Sequence, residues 1–224
     1  MRVTIFANGI IDDPASARGA VLPDDFLIAA DGGAKNSLML GFSPHVVIGD
    51  QDSLGSADLE ALEARGTRFV LYPRDKDQTD LELAVRFAVD NGAEEILLLG
   101  LLGGRLDQTL ANLLLLSLPE WGDVKLAVQE GPDTAYFLKG GSSLDLQGRA
   151  GDTVSLIPLS PVASSVTTLG LRWALQDAEL NFGSTLGISN EMVRSSAQIL
   201  FEAGQMLIVH RKGTTLERKE ENDG

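Results

Sequence analysis

The 224-residue chain contains no cysteine and only two histidines, His45 and His210. The first absence excludes disulfides, zinc-thiolate sites and thiol catalysis. The second leaves too few imidazoles for a histidine-rich metal centre, and neither histidine sits near a nucleophile elbow of the kind a Ser-His-Asp hydrolase uses. Cations are scarce: 18 Lys and Arg stand against 32 Asp and Glu, for a formal net charge of −14. A broad basic face for nucleic acid or an anionic membrane is therefore not expected. A nucleotide stays compatible, because a metal and a few local cations can neutralise it. The longest apolar runs, such as Ile96–Leu102, are far short of a membrane span. Met1–Ile11 lacks a long apolar region with a small-residue cleavage site, so no signal peptide is expected and the cytoplasm is the expected location. There is no Gly-x-x-x-x-Gly-Lys-Ser/Thr loop and no Gly-x-Gly-x-x-Gly after the first strand, which excludes a Walker-type NTPase and a dinucleotide fingerprint.

What the chain does have is apolar residue: 44% of it, enough for a substantial core. Short β-type runs at Val3–Ala7, Phe26–Ala30, Val46–Ile48, Arg68–Tyr72, Ile96–Leu99 and Val124–Val128 alternate with helical patterns at Ala34–Leu40, Ala57–Arg65, Asp80–Asn91 and Leu106–Leu118. Asp12–Asp25 reads as a loop or short helix. This alternation predicts a Rossmann-like, mostly parallel α/β domain over residues 1–138. Helical periodicity then fades. Short β segments between Gly, Pro and Ser turns predict an all-β sandwich or barrel over 139–214, with a hairpin at Ala203-Gly204 joining 196–202 to 205–210. A charged tail follows at 215–224.

Chemistry-bearing residues recur just after the predicted strands. Asp31, Asp50, Asp52, Asp77, Asp80, Arg105 and Asp107 fall there, where open α/β sheets bind ligands. Taken alone, Asp50-Gln51-Asp52-Ser53 could be an Asx turn, and Thr79 or Asp77 a helix N-cap. An N-cap does not account for Lys76, Asp77 and Asp80 together. Like charges this close are unfavourable unless a cation or solvent lies between them, and oxygen donors without His or Cys suit Mg²⁺. Glycine turns, Lys76 and Arg105 suit a polyphosphate. The residues thus read as a transferase dependent on a magnesium nucleotide, with the acceptor left open.

Four stretches in order resemble the motifs of the thiamine pyrophosphokinase family: Asp31-Gly32-Gly33, Gly49–Ser53, Lys76–Asp80 and Gly100–Asp107. In the second domain, Gly170-Leu171-Arg172-Trp173 and Gly187–Glu191 resemble it too, whereas Gln108 departs from a His common in relatives. The resemblance implies an α/β catalytic domain and a β-rich thiamine-binding domain. It implies transfer of the β,γ-pyrophosphoryl group of ATP to the thiamine hydroxyl, giving thiamine diphosphate and AMP. Asp50 and Asp52 would hold Mg²⁺, helped by Asp77 and Asp31. Lys76, Arg105 and the amides of Gly32, Gly33, Gly103 and Gly104 would hold phosphate, with Ser53, Thr79 and Asp107 among the nucleotide contacts. Asp77 or Asp80 would orient or deprotonate the hydroxyl. Trp173 would offer thiamine an aromatic face, and Ser189 and Asn190 polar contacts. A homodimer with the active site between subunits is also implied. A pyrophosphokinase for a pterin-like alcohol and a non-catalytic nucleotide or thiamine sensor are the alternatives.

Overall fold

The computed structural model describes residues 1–50 and 52–213; Gln51 and residues 214–224, including the expected charged tail, lie outside the described residues. Two compact units result, Met1–Gly131 and Pro132–Gly224. The division falls earlier than the sequence break at 138. The strand Asp133–Lys139 pairs antiparallel along its length with Gln205–Arg211, and those hydrogen bonds tie it to the second unit.

The first unit alternates strand and helix: β1 (Arg2–Phe6), α1 (Pro14–Ala20), β2 (Phe26–Ala30), α2 (Gly33–Met39), β3 (Val46–Gly49), α3 (Ser56–Ala64), β4 (Arg68–Leu71), α4 (Asp80–Asp90), β5 (Glu95–Leu99), α5 (Leu106–Leu115) and β6 (Lys125–Glu130). The strand order is β4-β3-β2-β1-β5-β6, each neighbouring pair parallel. Such strands are buried on both faces, which is why they read as continuous apolar runs. Phe6, Leu27, Ala29, Val47, Leu97 and Leu99 pack with Ala17 of α1, Ala34 of α2 and Leu62 of α3. Their alternates Ile5, Ile28, Ile48 and Leu98 are equally buried, and α4 contacts β1, β2 and β3. The Asp12–Asp25 stretch does contain a helix, started by Asp13, whose side chain accepts from Ser16 N, with Pro14 in the first turn. Helix α5 stops at Leu115, and Pro119–Trp121 forms a separate 3₁₀ turn.

The second unit holds β7 (Asp133–Lys139), β8 (Ser143–Gln147), β9 (Thr153–Pro158), β10 (Val162–Leu169), β11 (Ala178–Asn181), β12 (Asn190–Glu191), β13 (Ser196–Leu200) and β14 (Gln205–Arg211). They form two antiparallel sets, β12-β9-β14-β7 and β11-β10-β13-β8. One core draws on both, through Leu146, Ala163, Val166 and Ile199 from one and Val154, Leu156, Met206 and Ile208 from the other.

The expected hairpin at Ala203-Gly204 is overturned. β13 pairs with β8 and β10, whereas β14 pairs with β7 and β9. Ile199 and Phe201 share a core with Met206 and Ile208, so the two strands lie in different sheets. The connection crosses between sheets: Ser164 exchanges backbone hydrogen bonds with Glu202 and Ala203, and Gly204 O accepts from Gly140 N.

Candidate active site

The sheet order reverses between β1 and β5, because the chain runs from β1 to β4 on one side and resumes with β5 on the other. The crevice outside the carboxyl ends at such a point is where open α/β sheets take ligands. Here the two flanking loops are bonded together: Gly9 N donates to Gly100 O at 2.7 Å and Ile10 N to Leu102 O at 2.9 Å. Asn36 of α2 closes the arrangement, its Nδ2 donating to Ala7 O at 2.7 Å and to Gly9 O at 2.9 Å. Gly33 permits α2 to start this close to β1, since a Cβ there would lie 1.9 Å from Phe6 O.

Asp31 follows β2 in a left-handed conformation, φ 42°, with its amide donating to Ile48 O at 2.8 Å. Asp50 follows β3, and its Oδ1 accepts from Asp52 N at 3.1 Å. That N–H holds the Asp50 carboxyl below the usual carboxylate range, outweighing partial burial. Ser53 Oγ donates to Asp52 Oδ1 at 3.3 Å. One oxygen from each of Asp31, Asp50 and Asp52 lies within 4.8 Å of the others. Asp31 is buried, and its Oδ1 has no hydrogen-bond partner. An all-oxygen donor set with an orphaned buried oxygen fits a hard divalent cation such as Mg²⁺.

Asp80 opens α4 beside this group. Burial pushes its carboxyl above the usual range; Lys76 opposes the shift, and the charges of Asp31 and Asp50 reinforce it. Lys76 Nζ lies 3.0 Å from Asp80 Oδ1 as an ion pair misaligned for a hydrogen bond, and donates to Pro73 O at 3.2 Å. Gly49, at φ 150°, lets Asp31 and Asp80 approach: a Cβ there would lie 2.9 Å from Asp31 Cβ and 3.2 Å from Asp80 Oδ1.

The other sequence-derived residues divide. Asp77 is exposed and outside the Asp31/Asp50/Asp52 group. Thr79 is the α4 N-cap, accepting from Glu82 N at 3.1 Å. Gly103 and Gly104 both have positive φ and lead to Arg105, whose guanidinium forks onto Asp107 at 3.1 and 2.5 Å. The pair is exposed, and each partner strengthens the other's charge: Asp107 is lowered first by the Arg105 hydrogen bond, and Arg105 is raised by Asp107. Sequence reasoning missed two neighbours. Arg74 lies 3.8 Å from Asp52 Oδ2. Asn8 abuts Gly32, where a Cβ would come 2.5 Å from its Oδ1. The Asn-Gly after β1 was the available signal for Asn8; a lone arginine in a charged turn carried none for Arg74.

In the second unit, Trp173 is exposed and Ser189 is exposed with φ 58°. Asn190 is buried, and its amide bonds both to the N–H and to the C=O of Trp173.

Among the described residues no helix is long and apolar enough to cross a membrane. The chain is 28% identical over 182 residues to thiamine pyrophosphokinase of Bacillus subtilis, covering 81% of this chain and 85% of that protein. The crystal structure of the Bacillus subtilis thiamine pyrophosphokinase superposes with a TM-score of 0.84 at 26% identity, over 96% of this chain and 100% of the other. That of the Geobacillus thermodenitrificans thiamin pyrophosphokinase gives 0.81 at 27%, over 96% and 99%. The thiamin pyrophosphokinase catalytic-domain family matches residues 21–127 and the vitamin B1 binding-domain family residues 143–206. With both domains matched in order and the whole fold superposed, the chain belongs to the thiamin pyrophosphokinase family.

Proposed function

We infer that this chain is a thiamine diphosphokinase: it transfers the pyrophosphoryl group of ATP to thiamine, giving thiamine diphosphate and AMP. The observation that carries the reading is the carboxylate group at the β2 and β3 ends, with its orphaned Asp31 oxygen, inside a chain matched by both family domains. The first unit, a Rossmann-like fold, is the catalytic part; the second, a β-sandwich, takes thiamine. Asp31, Asp50 and Asp52 would hold Mg²⁺, which when bound neutralises triphosphate charge and orients it. Lys76, Arg74 and Arg105, with the amides of Gly32, Gly33, Gly103 and Gly104, meet the phosphates. Asp107 sets the Arg105 fork.

The thiamine hydroxyl oxygen attacks the β-phosphorus; that P–O bond forms as the α,β-bridging bond breaks, and AMP leaves. The hydroxyl proton passes to a carboxylate. We assign this to Asp80, whose carboxyl burial raises above the usual range and which stands beside the Asp31 and Asp50 carboxylates, rather than to exposed Asp77. A homodimer is part of the reading, supported by α5, which buries none of its residues and exposes Leu106, Leu110 and Leu114 at four-residue spacing.

The test is incubation with thiamine, ATP and Mg²⁺. Thiamine diphosphate and AMP in equal amounts, both lost on chelation and both absent with Asp52→Ala, are the expected result. ADP with thiamine monophosphate would overturn the reaction type, and no product would overturn the substrate.

A further inference from the structure

Trp173 is 59% exposed, yet its backbone is held on both sides. Asn190 Oδ1 accepts from Trp173 N at 3.1 Å, and Asn190 Nδ2 donates to Trp173 O at 2.7 Å. The same Oδ1 accepts from Glu191 N at 2.9 Å. A side-chain amide here takes the place that a neighbouring strand's peptide would take. Asn190 is itself anchored: it is 7% exposed and pairs with Val154 of β9. Flanking bonds extend the clasp, from Arg172 N to Glu191 O at 2.8 Å and from Val193 N to Gly170 O at 3.0 Å. The Arg172 guanidinium pairs with Glu191 at 2.7 Å and lies 5.7 Å from the Trp173 ring centroid, over one face of the indole.

We propose that Asn190 is a positioning residue whose amide clamps the Trp173 backbone, holding the exposed indole as a fixed platform for a flat heteroaromatic ring. It does not touch that ring itself. An indole free to wander would lose entropy on binding, whereas a fixed one has lost it already on folding. The amide oxygen accepts from two backbone N–H groups and one of its N–H groups donates to Trp173 O, so this buried side chain is turned onto the backbone around Trp173. The proposal rests on the thiamine reading above, in which that ring belongs to thiamine, and it replaces direct contact by Asn190 with indirect action through Trp173.

The full chain labelled with 5-fluorotryptophan has two ¹⁹F resonances, from Trp121 and Trp173, and Trp173→Phe assigns them. Trp121 is buried and serves as an internal reference for the fold. Without thiamine, Asn190→Ala is expected to shift and narrow the Trp173 resonance while Trp121 stays in place. The thiamine KM then rises roughly 10-fold, as the loss of the two hydrogen bonds to Trp173 allows, with kcat and the ATP KM nearly unchanged. Asn190→Asp keeps the acceptor, loses the donor to Trp173 O and sets a carboxylate oxygen against that carbonyl; it is expected to shift the same resonance, and it decides the question if Asn190→Ala does not fold. An unchanged Trp173 resonance in the thiamine-free variant, with a raised thiamine KM, would mean direct contact and overturn the proposal. A shifted resonance with an unchanged thiamine KM would overturn the platform's role. Trp173→Ala with a normal thiamine KM would instead defeat the thiamine reading of Trp173, which the resonance data do not touch.

Discussion

Gly49→Ala places one methyl group between two carboxylates. At φ 150° the backbone lies where residues other than glycine are strained, at a cost of about 1–3 kcal/mol. The new carbon would stand 2.9 Å from Asp31 Cβ and 3.2 Å from Asp80 Oδ1. Ordinary carbon contact needs about 3.5–4.0 Å, so Asp31 must move by roughly 0.6 Å or more. Overpacking of this kind adds about 1–3 kcal/mol. The sum, about 2–6 kcal/mol, is a large part of the ~5–15 kcal/mol that holds a typical domain folded. The displacement also falls on the residues proposed to hold the metal and take the proton, and a misplacement near 1 Å costs about 100-fold in rate. Gly66→Ala is the control: Gly66 also has positive φ, 81°, but a Cβ there meets nothing within 4 Å. Urea unfolding followed by circular dichroism, with initial rates of thiamine diphosphate formation across a Mg²⁺ titration, separates the two effects. Gly66→Ala is expected to lose about 1 kcal/mol and no activity. Gly49→Ala is expected to lose more stability, most of its rate, and Mg²⁺ affinity. Wild-type rate and Mg²⁺ dependence in Gly49→Ala would refute the geometric argument.

Two further outcomes follow from ionisation. A carboxyl raised by burial contributes stability below its unfolded value, 3.8, that is lost as pH rises through the higher folded value. Asp80→Asn should therefore unfold at the same or higher urea concentration than wild type at pH 7, while its rate falls about 10²–10⁴-fold; lower stability with normal rate would contradict both halves. Asp152 behaves oppositely. Burial raises its carboxyl, but hydrogen bonds from the Gly213 and Arg149 amides and the His210 ring outweigh this and leave it lowered. Its contribution is present above 3.8 and lost as pH falls through the lower folded value, so Asp152→Asn should flatten the fall in Tm below about pH 4.

The parallel unit was the more legible of the two. Its strands are buried on both faces, so Phe26–Ala30 and Glu95–Leu99 stand out as apolar runs, and each ends at a Gly or Asp turn that starts a helix. Asp31, Asp50, Asp52 and Asp80 could be found because parallel topology sends every such turn to one rim. In the second unit the strand at Ser196–Leu200 was legible, but its partner was not: Ala203-Gly204 suits a hairpin and a crossing between sheets equally well. Which one forms depends on Ile199, Phe201, Met206 and Ile208 sharing one core with Leu146, Val154, Leu156 and Ala163, a relation among residues far apart in sequence. Residues Ala178–Asn181 and Asn190–Glu191 form strands too short for any periodicity to show.

Residue type and order by themselves determined that a metal held here would take oxygen donors, since Cys is absent and His is nearly so, and that acid, lysine, arginine and glycine fall after strands. Only the tertiary structure decided which of those residues meet. Hydrogen bonds from Asp31 N to Ile48 O and from Asp52 N to Asp50 Oδ1 put three carboxylates together, while Thr79 was taken up in capping α4. Asn190 shows the same limit from the other side. Its amide could as well have faced a ligand as Trp173, and packing against β9 turned it inward, because a buried amide must find its partners within the protein.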